Sequence, residues 1–381
     1  MISSARADHT DGKRATRIFW CHPRLMDYRK PLFDLVCSKY QVKFFFQRRS
    51  DIDSDYDVVY GRKRIAGRLP SPRDIVDFYK GIKDCDLFTS SFLFEGYSMT
   101  GIILARMMRK KIVIWEELSH FFGGFRSAVK RWVSARLARH VDAFFVLGEP
   151  QRHALHKLGV PDARIFVANE YPGHVYAEIE AGKIESLGVA SRDVILYLGR
   201  FVPFKGIDYL LEAYSLLEKK HSNTLLLIVG YGPLKEELER QAKDLCLKTV
   251  EFIGPITDIN KKKYLFEISR MLVVPSVIQK GKGLEGGPLV VLEALSAGTP
   301  VLGTNGLISS TQFISNGVNG FIVPHSDAEA LCEKMEEILN WPDHRAIREK
   351  VRAGFGRIRG FDYQFEMMQE AIRYCIPENA I

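Results

Sequence analysis

No uninterrupted apolar run in this 381-residue chain approaches the roughly 20 residues that a membrane-spanning helix needs. The opening stretch, Met1 to Ala15, is polar and lacks the apolar core of a secretory signal. The expectation is therefore a cytoplasmic chain with a loose tail over residues 1–15. Cysteine is also scarce: Cys21, Cys37, Cys85, Cys246, Cys332 and Cys375 lie far apart, form no C-x-x-C pair and mostly sit among apolar neighbours. That spacing argues against a disulfide framework or a zinc site and for buried free thiols. The absence of any short repeat or low-complexity tract excludes a solenoid.

What is present is enough for two ordinary cores, with 46% apolar and 26% charged residues in a chain of this length. The net charge of +8 is unevenly distributed. Residues 1–180 hold 30 Lys and Arg against 21 Asp and Glu, whereas the remainder holds 24 against 25. The positive half would be drawn to an anionic partner: a phosphate-bearing acceptor, anionic lipid head groups at the inner face of a membrane, or nucleic acid. No motif supports the last of these.

From Arg17 onward, short β-branched or aromatic runs alternate with longer amphipathic ones, the pattern of βα units around parallel sheets. Strands are predicted at 17–21, 41–46, 86–89, 111–115, 143–147 and 164–168, then at 194–198, 224–229, 250–253, 271–274, 300–302 and 320–323. Asn169 to Ser191 carries Pro172, Gly173 and Gly188 with little apolar periodicity, as an interdomain linker would. The expected domains are residues 16–178 and 179–360. A final amphipathic helix over Asp362 to Tyr374, within residues 361–381, is expected to return to the first domain.

Two segments carry the chemistry. In the first, Tyr197 to Gly206, a strand ends at Gly199 and a loop follows with Arg200 and Lys205 before a helix whose core face is Ile207, Leu210, Leu211, Tyr214 and Leu217. Ligands of open α/β sheets bind beyond the carboxyl ends of strands, and two cations there suit a diphosphate whose charge grows as it leaves. A solvated turn with two surface cations would look the same. The second segment is Leu284 to Gly298, where Pro288 behind Gly286 and Gly287 starts a helix whose free N–H groups form an anion site. Glu293 lies on that helix between apolar residues, so its carboxylate needs donors: ligand hydroxyls, a cation or an internal salt bridge.

Together these segments resemble the retaining glycosyltransferases of family 4, of the glycosyl transferases group 1 type. Glu285 and Glu293, with seven residues between them, match that family's paired glutamates, and Pro275, Ser276 and Ala297 to Pro300 fall where its pattern has them. The resemblance implies an α/β GT-B fold: two Rossmann-like domains with parallel sheets facing a central cleft, the first for the acceptor and the second for a nucleotide diphosphate sugar in UDP or GDP form. It further implies that Gly199, Arg200 and Lys205 hold the diphosphate, that Glu285 lies near the transferred sugar, and that Glu293 takes the ribose hydroxyls. Gly286, Gly287, Pro288 and Leu289 would line the diphosphate and sugar, with Ile253 and Gly254 near the base. No metal is expected, since Arg200, Lys205 and the helix start supply the positive charge. Transfer would go to an acceptor hydroxyl, with retention. A nucleotide-sugar epimerase or hydrolase of the same fold, or a non-catalytic sugar-binding partner, are the alternatives.

The chain also departs from the family. A Tyr28-Arg29 pair follows its first strand in place of a glycine-rich loop, and Glu116 or His120 stands where many members have a histidine near the reacting centre. Asp51, Asp53, Asp55 and Asp57 alternate as in a calcium loop, but Tyr56 replaces the required glycine, so a solvated acidic loop is expected. Gly230-Tyr231-Gly232 lacks a third glycine and is expected only to tighten a turn. Residues 125–140 read as a helix with Val129, Trp132 and Val133 on one side. The expectation is that this side packs on the sheet, although a helix on a membrane surface would carry the same pattern.

Overall fold

The computed structural model describes residues 14–50, 52, 54–62, 69–117, 125–176, 180, 192–278, 289–307 and 312–377. The tail over residues 1–15 thus falls almost wholly outside the described residues, as does most of the expected linker. The chain divides into two compact units, one of residues 1–173 with 359–381 and the other of residues 174–358.

The first unit alternates β1 (Arg17–His22), α1 (Lys30–Lys39), β2 (Gln41–Phe46), β3 (Asp57–Tyr60), α2 (Pro72–Asp84), β4 (Leu87–Ser91), α3 (Gly96–Met107), β5 (Lys111–Glu116), α4 (Phe125–Ala138), β6 (Ala143–Val146), α5 (Glu149–His156) and β7 (Ile165–Val167). All strand pairs are parallel, in the order β3-β2-β1-β4-β5-β6-β7. The second unit continues with β8 (Asp193–Arg200), α6 (Ile207–Glu218), β9 (Thr224–Tyr231), α7 (Lys235–Asp244), β10 (Val250–Ile253), α8 (Ile259–Ile268), β11 (Ser269–Val274), α9 (Leu289–Ala297), β12 (Val301–Thr304), β13 (Gly320–Val323), α10 (Ala328–Leu339) and α11 (His344–Phe355). Its parallel sheet runs β10-β9-β8-β11-β12-β13. The last helix, α12 (Phe361–Cys375), contributes Met368, Ala371, Ile372 and Cys375 to the core of the first unit.

These strands form where expected because a parallel sheet is covered on both faces and must be apolar throughout. β4 and β6 are buried at every position. In the first unit one face carries α2 to α5, through residues such as Phe78, Tyr97, Ala138 and Leu155. The other carries α1 and α12 over an aromatic layer in which Trp20, Phe33 and Phe44 lie 4.7 to 5.5 Å apart. Helix α2 starts on a capping box, with Ser71 accepting from the Asp74 N–H and the Asp74 carboxylate accepting in return.

Two expectations need correction. Asp57 is not part of an acidic loop but opens β3, an edge strand on β2. It was hidden because both its end residues are exposed, which removes the apolar run by which buried strands are recognised. In α4, Val129 and Trp132 do not face the sheet: they are 43% and 65% exposed, while Ser134 and Ala138 are buried. Two small residues one turn apart let the helix lie close to the sheet and turn its large apolar groups outward.

In each sheet the strand order reverses once, between β1 and β4 and between β8 and β11. There the helices leave toward opposite faces, and the loops part to leave a crevice at the carboxyl edge. At the second reversal, Gly206 precedes α6 with φ +63°, and a Cβ there would overlap the carbonyl oxygen of Pro275, which follows β11. Gly206→Ala should therefore lower the melting temperature by several degrees, equivalent to about 2 kcal/mol or more. Gly354→Ala, in α11 with open space at the added methyl, should leave it unchanged or slightly higher. Differential scanning calorimetry of the two variants checks both.

Candidate nucleotide-sugar site

The reversal between β8 and β11 brings two of the expected residues side by side. Arg200 ends β8 and is exposed, and Lys205 closes the short turn Pro203–Lys205 and is buried. The ring centroid of Phe204 is 5.8 Å from the Arg200 guanidinium carbon and 5.9 Å from Lys205 Nζ. Both cations thus approach one aromatic ring, which lowers the cost of holding two like charges near each other.

Their loop is held from both sides. The Val277 N–H donates to the Phe204 carbonyl at 2.9 Å, joining the loop after β8 to the loop after β11. On the other side Gly230 and Gly232, with φ +148° and +158°, press their backbone onto Gly199 and Phe201, where any side chain would overlap the carbonyl oxygens. The glycine pair does tighten a turn, and in doing so it fixes the end of β8. The Tyr197 hydroxyl donates to the Arg200 carbonyl at 3.0 Å beneath Gly199. Tyr231, between the two glycines, pairs in register with Arg200 and is 60% exposed at this edge. Its flanking glycines were the only sign of it in the sequence.

Leu289 begins α9 and is partly buried, and Glu293 lies one turn further along. Glu293 Oε1 accepts a hydrogen bond from the Tyr176 hydroxyl at 3.3 Å and lies 4.0 Å from Lys262 Nζ. Tyr176 is itself fixed: its N–H donates to Ser296 Oγ at 3.0 Å, and its ring meets Phe266 edge-on. Among the described residues both contacts of the carboxylate fall on Oε1. Neither partner was read from the sequence, since Tyr176 precedes α9 by more than a hundred residues and no spacing rule connects them.

Ile253 ends β10 and Gly254 follows it, exposed and with open space around its Cα. They stand at the same carboxyl edge, two strand spacings or about 10 Å from β8. Glu285, Gly286, Gly287 and Pro288 lie outside the described residues, and so does His120.

The carboxyl edge of the first unit holds a second polar group. Arg29 is buried over the Trp115 ring at 4.3 Å and ion-pairs with Glu117, which follows β5. Burial opposes the charge on Arg29, but Glu117, Tyr28 and Glu170 outweigh it and hold the guanidinium ionised. Burial, and then the nearby Glu117 charge, push the Glu170 carboxyl up to about 7. Burial and the neighbouring Arg29 push His22 down to about 3, so its imidazole is neutral, with Nδ1 donating to the Arg24 carbonyl at 2.8 Å. Glu116 is buried, and its Oε2 accepts from the Leu93 N–H at 2.7 Å, which is a structural task.

Known proteins resemble this chain in sequence and in fold. Residues 183–352 match the family described as glycosyl transferases group 1. An uncharacterized glycosyltransferase of Haemophilus influenzae is 28% identical over 235 residues, 61% of each chain. A GDP-mannose-dependent alpha-(1-6)-phosphatidylinositol monomannoside mannosyltransferase of Mycolicibacterium smegmatis is 32% identical over 168 residues, 42% of each. The chain thus spans about three fifths or less of the length of these curated relatives. Among solved structures, Anabaena HepE in complex with UDP superposes with a TM-score of 0.73 at 17% identity, over 94% of this chain and 99% of that one. WaaG, a glycosyltransferase involved in lipopolysaccharide biosynthesis, gives 0.68 at 17% over 94% and 100%. The shared fold is GT-B, with two parallel-sheet α/β domains.

Glu170 has a consequence for stability. In the unfolded chain its carboxyl ionises at its ordinary value near 4.5, but in the folded chain only near 7. Between those values the native state holds the extra proton, so stability falls as pH rises from about 4.5 to 7. Glu170→Gln should remove this fall, worth on the order of 3 kcal/mol. Thermal midpoints measured at pH 5 and pH 8 should then converge for the variant.

Proposed function

We propose, from the match of residues 183–352 to the glycosyl transferases group 1 family, that this chain moves a sugar from a nucleotide diphosphate donor to an acceptor hydroxyl, with retention at the anomeric carbon. The observation that carries the reading is the pairing of Arg200 and Lys205 about the Phe204 ring at the point where the strand order of the second sheet reverses.

In this reading the donor's diphosphate lies between the two cations and the start of α9, and the ribose hydroxyls donate to Glu293. The base lies toward Ile253 and Gly254, a strand-to-strand distance that suits a nucleoside diphosphate. By the family resemblance, Glu285, Gly286, Gly287 and Pro288 would belong to the sugar and diphosphate subsites, and His120 to the catalytic group. The acceptor oxygen bonds to the anomeric carbon on the face from which the diphosphate oxygen departs. The departing oxygen takes the acceptor's proton, so no separate base is needed. Arg200, Lys205 and the helix start stabilise the charge that grows on the leaving group, the task a divalent ion performs elsewhere, and no metal enters the reading. The excess positive charge of the first half supports an acceptor that is anionic or lipid-linked.

Titration with UDP, GDP and ADP, followed by thermal melting, is the direct test. One diphosphate should raise the melting temperature, by an amount equivalent to about 2.7 kcal/mol at a hundredfold excess over Kd. Arg200→Ala, at an exposed position, and Lys205→Ala should each weaken that nucleotide about 10- to 100-fold. Affinity unchanged in both variants would refute the assignment. Incubation with donor alone separates transfer from epimerase or hydrolase activity, neither of which needs an acceptor.

A further inference from the structure

On the first unit, α3 and α4 are successive crossovers, from β4 to β5 and from β5 to β6, and lie on the same face of the sheet. Their outward residues are unusual in two ways. Large apolar side chains project from both: Ile103 and Met107 on α3 are 52% and 77% exposed, and Val129 and Trp132 on α4 are 43% and 65% exposed. The stretch of chain that carries them is also charged almost wholly with one sign. Residues 96–141 contain nine Lys and Arg and only two acids, Glu116 and Glu117. Neither acid is on this face, since Glu116 is buried against Leu93 and Glu117 is paired with Arg29.

The two features are interleaved. Lys130 Nζ lies 5.6 Å from the ring of Phe94, itself partly exposed, and the Arg136 guanidinium lies 5.9 Å from the Trp132 ring. Arg106, Arg109, Arg131 and Arg139 are exposed beside them. We propose that this face of α3 and α4 docks on an anionic lipid bilayer, with Trp132 and Met107 entering the head-group region and the arginines and lysines pairing with lipid phosphates. A tryptophan with a polar N–H suits the boundary between head groups and acyl chains. Long basic side chains lay their apolar stems along the surface and carry their charge to the phosphates. A protein partner of ordinary composition would leave several of these cations unpaired, whereas an anionic bilayer offers phosphate at every position.

The proposal deepens the reading of an anionic or lipid-linked acceptor, and rests on that reading only for why the chain would work at a membrane. Vesicle binding itself requires no donor. The purified chain should float with phosphatidylglycerol vesicles at low salt, remain in solution with phosphatidylcholine vesicles, and be released as salt shortens the screening length. Binding should shift tryptophan emission to the blue through Trp132, because Trp20 and Trp115 are already buried and Trp341 packs on Phe321 in the second unit. Trp132→Ser should abolish the shift, and Arg131→Glu with Arg136→Glu should weaken partitioning at least about 25-fold, at about fivefold per cation. Circular dichroism and the nucleotide melting shift, measured on the same variants, verify that fold and donor site are intact. No flotation, flotation that ignores these substitutions, or self-association through Trp132 in place of lipid binding would each overturn the proposal. A melting shift that survives while flotation is absent would overturn this surface alone, and flotation without any nucleotide shift would overturn only the transfer reading.

Discussion

The contact between Gly206 and the Pro275 carbonyl is the constraint from which the second unit's site follows. It brings the loop after β8 against the loop after β11, the two strands at which the sheet changes direction. The bond from Val277 to Phe204 holds the loops together, and the ring of Phe204 then meets both Arg200 and Lys205. On the far side, Gly230 and Gly232 approach so closely that the end of β8 cannot shift. The positions of both cations are therefore set by backbone packing rather than by their own side-chain preferences, as a site needs if it is to be ready before a ligand arrives.

Glu293 shows how a half-buried acid can be held in place without being used up. The Tyr176 hydroxyl and the more distant Lys262 ammonium both engage Oε1, and Tyr176 is fixed in turn by Ser296 and Phe266. A salt bridge inside the protein and a contact to ligand hydroxyls were competing readings of this residue. The arrangement accommodates both, because a carboxylate has two oxygens and more than one lone pair on each.

The two units divide their charge differently. The second clusters a few cations at one edge of its sheet within a nearly neutral surface. The first spreads its excess over outward-facing helices, while its own buried arginine is neutralised by Glu117 and sits beside the raised carboxyl of Glu170. Positive charge is thus arranged in two ways in one chain: a small localised patch would suit a single diphosphate, and a broad one an extended anionic surface.

Much was legible in one dimension. Runs such as Ile195 to Leu198 and Leu225 to Val229 are apolar at every position because both faces of a parallel sheet are covered, so the strands and the α/β class followed from the order of residues alone. So did Arg200 and Lys205, because a strand end, a short loop and a helix start lie within one continuous segment. Other features exist only once distant segments meet. The partners of Glu293 come from Tyr176 and Lys262, and the need for glycine at 206 comes from a carbonyl about seventy residues away. β3 is a strand because β2 offers it an edge, not because its residues demand one. The outward turn of Trp132 was decided by how closely Ser134 and Ala138 let α4 approach the sheet, and helical periodicity cannot determine which side of a helix its neighbours will cover.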